Sequence, residues 1–336
     1  MAAVHLRYPG RALVLGDHCD WAGGCSLTVP IPLGIELTAE PGTTSISLHS
    51  ELEGEVLEGS WDTQHPKPSR GPLRFVPAAI ETLREAGITL QPADLWIRSD
   101  LPAGRGFSSS AAFSLVLLDG LSRLAAQPLP TQQLVELAYR LEHHHLGVQC
   151  GRLDPAACAA AQPLFTRWTS SAGDGMTMSA RRITPLRTMY FVIGAFSAPR
   201  DTPKILATLR HHHQSHIPDT EGDSVREALS IFSSSAEAGA HAMTNGMSNA
   251  LGDAMRRCQR TYDDALAAHL PAMSAPRLTH TCAQLSEIGA LGAKFSGAGG
   301  DGSVIALFPE ENDARSAAIT LEEWGLKAWY CPVGAP

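Results

Sequence analysis

Apolar positions fall into short alternating runs in the first hundred residues and into longer, helically spaced runs later. RALVLG at 11–16 and SLTVPIPLGIELTAE at 26–40 have the Val, Ile, Leu and Thr content of strands, and Pro30 and Pro32 interrupt the second, which is expected to bend or lie at a sheet edge. SISLHS at 45–50 alternates as a hairpin arm would, whereas EGSWDTQHPKPSRGP at 58–72 has the Pro, Gly and polar content of a loop. PAAIETLREAG at 77–87 reads as a short helix stopped by Gly87, ADLWIRSDLP as a strand, and 108–125 and 131–146 as helices. LRTMYFVIGAF at 186–196 is a continuous apolar run and so a buried strand, and helical spacing then fills most of 200–290. The chain closes with strand, glycine loop, strand, a helix over NDARSAAITLEEWG, and a strand at LKAWYCP. Strands leading into helices, then helices leading into strands, predict an α+β protein in two domains, 1–175 and 176–336, with SSAGDGMTMSARR at 170–182 as the candidate linker.

Composition narrows the function classes. The 336 residues, 44% of them hydrophobic, suffice for two ordinary cores. A net charge of -8 gives no general attraction for nucleic acid or for an anionic membrane, so neither is expected as a partner and small-molecule chemistry is favoured. Seven scattered cysteines without a CxxC pair argue against a disulfide framework or a zinc module. MAAVHLRYPG lacks a signal-length apolar run and no segment has eighteen uninterrupted apolar residues, so a soluble, cytoplasmic protein is expected.

Three stretches carry candidate chemistry. LPAGRGFSSSAA at 101–112 places glycines and serines at the start of a helix, where unpaired N–H groups and the helix dipole attract anions. It reads as a phosphate cradle, or as a flexible turn with an N-cap. It contains no lysine and no GxxxxGK[ST], so it is not the P-loop of nucleoside triphosphatases; GAGGDG at 297–302 precedes a strand, the wrong context for a dinucleotide turn. GRALVLGDHCDWAGG at 10–24 crowds Arg11, Asp17, His18 and Asp20 at a strand end ahead of Gly23 and Gly24. Carboxylates and imidazole there suit a polyhydroxylated ligand, the alternative being a solvated turn. In LEHHHLGVQCGRLDPAACAAA at 141–161, Glu142 closes a helix and Asp154 follows twelve residues later. One carboxylate on magnesium and one near an acceptor hydroxyl would complete a phosphoryl-transfer site; otherwise both are surface residues. The runs His143–His145 and His211–His213 send adjacent side chains to different helix faces, which opposes convergence on one ion. Trp21 is placed either to stack on a sugar or to pack in the core.

PGRALVLGDHCDWAGG, LPAGRGFSSSAA and KFSGAGGDGSVIAL, in this order and over most of the chain, resemble the three motifs of the GHMP kinases, the superfamily of galactokinase, homoserine kinase, mevalonate kinase and phosphomevalonate kinase. The first looks like the PGRxNLIGEHxDYNGG of galactokinase-type sugar kinases. The resemblance implies a two-domain α+β fold with the active site in the cleft between the domains, ATP and Mg2+ as cofactors, and transfer to a hydroxyl, usually the anomeric one, of a monosaccharide or sugar derivative. GVQCGRLDP matches the family's GVxCGIMDQ, so Asp154 inherits the role of base, and Arg11 that of stabilising the transferring group or tuning the base. Asp17, His18 and Asp20 would hold sugar hydroxyls, with Gly23, Gly24 and Gly299 beside the substrate. Pro102, Gly104, Gly106, Ser108, Ser109, Ser110 and Ala111 would form the phosphate loop, and Ser110 and Glu142 would hold magnesium. Asp17 replaces the family's Glu, Trp21 its Tyr and Ala22 its Asn, which leaves the sugar unidentified. Asp301 stands where many relatives have Gly, as a turn residue or an extra contact, and Arg200 and Asp201 follow the buried strand as further contacts. The competing readings are a kinase of a non-sugar alcohol, mevalonate-type, and a catalytically silent sugar sensor; Arg11, Ser110, Glu142 and Asp154 together argue against the sensor.

Overall fold

The computed structural model describes residues 3–52, 55–170, 176–197, 201–214 and 220–334. Its contacts divide the chain into two units, Met1–Arg11 with Ile31–Ala161, and Ala12–Pro30 with Gln162–Pro336. The division is not the single cut between 175 and 176 expected from element order. Two long strands, β1 (Val4–Leu15) and β2 (Gly24–Pro41), run through both units, so residues 12–30 belong with the second.

The first unit contains β3 (Ile46–Leu52), β4 (Glu55–Trp61) and β5 (Ala93–Ser99) beside the outer halves of β1 and β2. The end of β2 pairs antiparallel with β5, Ile35 opposite Ser99 and Leu37 opposite Ile97. β3 pairs parallel with β5 and antiparallel with β4. Ala93, Leu95 and Ile97 point inward on β5 while Trp96 and Arg98 point out, the period of two that the sequence shows. The parallel β3–β5 pair needs a crossover, which contains α2 (Phe75–Glu85). α3 (Ser109–Leu124) packs so closely on β2 that a Cβ at Gly120 would come 2.2 Å from Leu37 Cδ2. The expected helix over 131–146 is instead α4 (Thr131–Arg140) followed by a π-helical turn at Leu141–His145, closed by Leu146 N–H donating to the carbonyl of Leu141. α5 (Leu153–Ala160) ends the unit.

Two expectations are corrected here. The stretch 58–72 is not all loop, because β4 continues to Trp61; its exposed, Gly-containing EVLEGSW lacks the apolar density that marks a strand. The stretch 170–182 is not a linker throughout, because β7 (Met176–Arg182) pairs antiparallel with β6 (Leu164–Ser170). Most of β7 faces solvent, so its sequence carries no buried-strand signature. Residues 171–175 lie outside the described residues.

In the second unit, Gly24–Thr28 of β2 pair antiparallel with β6. Pro30 and Pro32 therefore stand between the β6 pairing and the β5 pairing, where their missing N–H groups break neither ladder. The short helix α1 (Cys19–Ala22) follows β1. The unit also contains a four-stranded antiparallel sheet in the order β11 (Lys327–Val333), β8 (Met189–Ala195), β10 (Ser303–Phe308), β9 (Gly292–Phe295). The helices of this unit are α6 (Thr202–Gln214), α7 (Thr220–Thr244), α8 (Ser248–Thr261), α9 (Pro276–Glu287) and α10 (Glu311–Glu323). α8 meets β9 through two glycines: a Cβ on Gly252 would lie 2.3 Å from the Leu291 carbonyl, and one on Gly292 the same distance from the Gly252 carbonyl.

Candidate active site

In the first unit the residues of the expected phosphate loop gather around the N-terminus of α3. Gly104 (φ 68), Gly106 (φ 82) and Ser108 (φ 62) all adopt left-handed backbone, so the loop curls back on itself before the helix starts. Pro102 and Ala111 are buried on either side. β1 passes directly beneath: a Cβ on Gly10 would meet Leu101 Cδ2 at 2.5 Å and the Phe107 carbonyl at 2.6 Å. Arg11 N–H donates to that same carbonyl at 3.2 Å. This contact places Arg11 under the loop, where its Nη1 donates to the Gly106 carbonyl at 2.8 Å. The hydroxyl of Ser108 is buried with no hydrogen-bond partner among the described residues, and Ser109 and Ser110 face a cavity.

Arg11 Nε and Nη2 both donate to Oδ1 of Asp154, at 2.9 and 2.6 Å. Arg11 is 7% exposed whereas the Asp154 side chain is 37% exposed, so the pair is charge-assisted and half-buried, with the carboxylate on the solvent side. Asp154 stands in the first turn of α5, and its Oδ2 accepts no hydrogen bond among the described residues. Glu142 lies in the π-helical turn and is 3% exposed. Burial pushes its carboxyl from the ordinary 4.5 up to about 7; the Ser110 hydroxyl bond pulls it down, the charge of Asp154 raises it further, and Ser114 and Arg74 lower it. π-helical turns of this kind frequently sit at functional sites.

A cavity of about 540 Å³ opens beside the loop, entirely within this unit. Its lining combines the apolar Ile35, Leu57, Phe75 and Phe113 with the polar Glu55, Arg74, Ser99, Ser109 and Ser110.

The second unit holds the other predicted group. Asp17 is wholly buried, its Oδ2 2.7 Å from Lys294 Nζ and its Oδ1 accepting from Gly297 N–H at 2.9 Å. Burial raises the Asp17 pKa against the pull of Lys294 and Gly297. His18, at φ 67, caps α1; Asp20 and Trp21 follow on that helix, half-buried. Trp21 meets His18 edge-on at 5.9 Å, His213 edge-on at 5.6 Å, and the Arg210 guanidinium over its ring at 5.5 Å. Burial lowers the His213 pKa, as does Arg226. Gly23 and Gly24 both have positive φ, and a Cβ on Gly24 would lie 2.6 Å from Ser233 Oγ on α7. Gly299 packs on Tyr262, where a Cβ would come 2.7 Å from the ring; the tyrosine hydroxyl accepts from Gly300 N–H at 2.8 Å. Asp301 accepts from Leu278 N–H at 2.9 Å, tying the glycine loop to the first turn of α9. Arg200 lies outside the described residues, and Asp201 accepts from Lys204 N–H in the first turn of α6. His143 stacks on Tyr139 at 5.1 Å whereas His145 lies 3.4 Å from Glu85, so neighbours in that run serve different partners.

Sequence reasoning did not single out Lys294, Arg74 or the π-helical turn. For Lys294 the available signal was a lone lysine inside a short buried strand, a position where a charge needs a partner.

Residues 74–162 match the family description "GHMP kinases N terminal domain" and residues 240–325 match "GHMP kinases C terminal". The galactokinase of Exiguobacterium sibiricum is 30% identical over 154 residues, 44% of this chain and 39% of that protein. That of Roseiflexus sp. is 33% identical over 153 residues, 45% of this chain and 39% of its own. The matched stretch thus spans less than half the length of these curated relatives. Among solved structures, Lactococcus lactis galactokinase complexed with galactose superposes with TM-score 0.79 at 19% identity, covering 99% of this chain and 94% of that one. Methanococcus jannaschii mevalonate kinase gives 0.77 at 17%, covering 99% and 98%. The chain belongs to the GHMP kinase superfamily.

Proposed function

We propose that the protein is an ATP-dependent kinase that phosphorylates a hydroxyl, the anomeric one by family resemblance, of a monosaccharide or sugar derivative. The observation that carries this reading is the Arg11–Asp154 pair. Both arginine bonds fall on Oδ1, which leaves Oδ2 as a proton acceptor held in a fixed orientation beside a loop with the features of a phosphate cradle. The curated relatives matched over residues of this chain are galactokinases, which supports a sugar as acceptor.

In this reading the apolar lining of the cavity takes the nucleoside, and the loop from Gly104 to Ala111 takes the phosphates through backbone N–H groups and the Ser108 and Ser109 hydroxyls. Asp154 Oδ2 accepts the proton of the attacking hydroxyl while Arg11 holds the carboxylate in place. Glu142 and Ser110 suit magnesium: a buried carboxylate hydrogen-bonded to one hydroxyl offers two oxygen donors, and magnesium commonly takes its remaining ligands from phosphates and water. When bound, the ion would neutralise charge on the β- and γ-phosphate oxygens. His18 and Asp20 grip the acceptor. Catalysis is then mainly positioning and electrostatics.

A second reading has a specific observation behind it. With both oxygens of Asp17 engaged by Lys294 and Gly297, the acceptor turn offers fewer hydroxyl ligands than its sequence contains, as a kinase of a less hydroxylated alcohol would. Coupled ADP release with Mg-ATP against hexoses, pentoses, uronic acids, heptose phosphates and mevalonate separates the two, with phosphorus NMR reading the position of the phosphate. Acceptor binding without ADP release from any compound would refute kinase activity and leave a sensor.

A further inference from the structure

The phosphate loop contains no lysine, and the arginine beneath it is committed: Arg11 spends Nε and Nη2 on Asp154 and Nη1 on the Gly106 carbonyl. A triphosphate chain bound there would carry three to four negative charges, and a helix N-terminus offsets only about half a unit charge. Magnesium would offset part of that charge, and a basic side chain lining the cavity would offset more.

Arg74 occupies that place. It is the last residue of a 3-10 turn, Gly71–Arg74, that leads into α2, and it lines the cavity together with Gly104, Ser109 and Ser110. It is exposed and forms no ion pair among the described residues; its guanidinium carbon lies 5.8 Å over the ring of its neighbour Phe75. Arg105, although inside the loop, does not line the cavity. A guanidinium presents five donors in a planar fork that fits phosphate oxygens, and an exposed one that lines a pocket without an ion-pair partner keeps those donors available.

We propose that Arg74 is a ligand of the nucleotide's terminal phosphates, supplying from the 3-10 turn before α2 a guanidinium that lines the cavity, as no basic residue of the loop does. The inference rests on the nucleotide reading given above and assigns it a residue. It makes a distinction by phosphate number: Arg74 matters for ATP and ADP, less for AMP, and not for adenosine.

The test is isothermal titration of ATP, ADP, AMP and adenosine, with magnesium, into the wild-type chain and the Arg74→Gln, Arg74→Met and Arg74→Lys variants. Arg74→Gln and Arg74→Met are expected to weaken ATP about 10- to 100-fold, the range for losing hydrogen bonds to a charged group. Adenosine should stay within about twofold, and Arg74→Lys should recover part of the loss because it keeps the charge without the fork. Unchanged ATP affinity in Arg74→Gln would overturn the inference while leaving nucleotide binding intact. Equal weakening of ATP and adenosine would also overturn it, by showing Arg74 to be pocket wall or base contact. If the wild-type chain binds none of the four, the nucleotide reading falls, and this inference with it.

Discussion

Lys294 Nζ lies 2.7 Å from Asp17 Oδ2, and neither side chain has any solvent exposure. The ammonium also donates to the Phe295 carbonyl, and the other carboxylate oxygen is bonded by Gly297 N–H. The turn after β1 and the glycine-rich loop after β9 are thereby held as one element. A buried ion pair is weak evidence for net stability, but removing one partner leaves a desolvated charge with nothing opposite it. Lys294→Met and Asp17→Asn are each expected to cost about 3–5 kcal/mol. The double variant should cost clearly less than the two losses combined. Urea unfolding checks both statements; strictly additive losses would show that the two residues do not act as a unit.

The bare Oδ2 of Asp154 gives a second expectation. Asp154→Asn keeps the shape and an oxygen for Arg11 but cannot accept a proton. Turnover should fall by about 10²–10⁴-fold, the usual range for a lost general base, while ATP affinity changes by less than about threefold. Steady-state kinetics beside calorimetry gives the answer, and near-normal kcat would remove Asp154 from the mechanism.

How much of this was legible in the sequence depends on how local each feature is. The glycine and serine run ahead of α3 is self-contained, so its loop and helix start can be read from the residues alone. Ala93, Leu95 and Ile97 mark β5 for the same reason. β7 escaped because a solvent-facing strand of Ser, Thr and Arg carries no burial pattern. The π-helical turn escaped because one i→i+5 turn leaves the spacing around Glu142 almost unchanged. The sequence shows a carboxylate at Asp17 but not that a lysine 277 residues away claims it, and it shows no link between Arg74 and a loop that begins nearly thirty residues later.

Gly10 tests whether β1 sets the height of the loop. A methyl group there would overlap the Phe107 carbonyl and the Leu101 side chain, and the carbonyl belongs to the backbone that Arg11 N–H bonds. Leu101 can rotate aside; the backbone cannot do so without moving the loop. Gly10→Ala is expected to cost about 1–3 kcal/mol in thermal or urea unfolding, as overpacking does, and to weaken ATP binding in parallel. A stable Gly10→Ala variant with wild-type ATP affinity would show that the loop is not seated on β1.

Glu142 yields an expectation in pH. Its carboxyl is raised from 4.5 to about 7 in the folded chain, chiefly by burial, so at pH 5–6 the native state holds a proton that the unfolded state has released. A raised carboxyl contributes stability that is fully present below about 4.5 and lost as pH rises through about 7, for a swing of roughly 3 kcal/mol. Without metal, the chain should therefore unfold at lower urea concentration at pH 8 than at pH 5, and Glu142→Gln should flatten that slope. Magnesium needs the ionised form, so its stabilising effect should grow across the same interval and be largest above pH 7. Urea midpoints of wild type and Glu142→Gln, with and without Mg2+, at half-unit steps from pH 4.5 to 8.5 measure all three effects. A Mg2+ effect of equal size at pH 5 and pH 8, or one retained in Glu142→Gln, would take Glu142 out of the metal site.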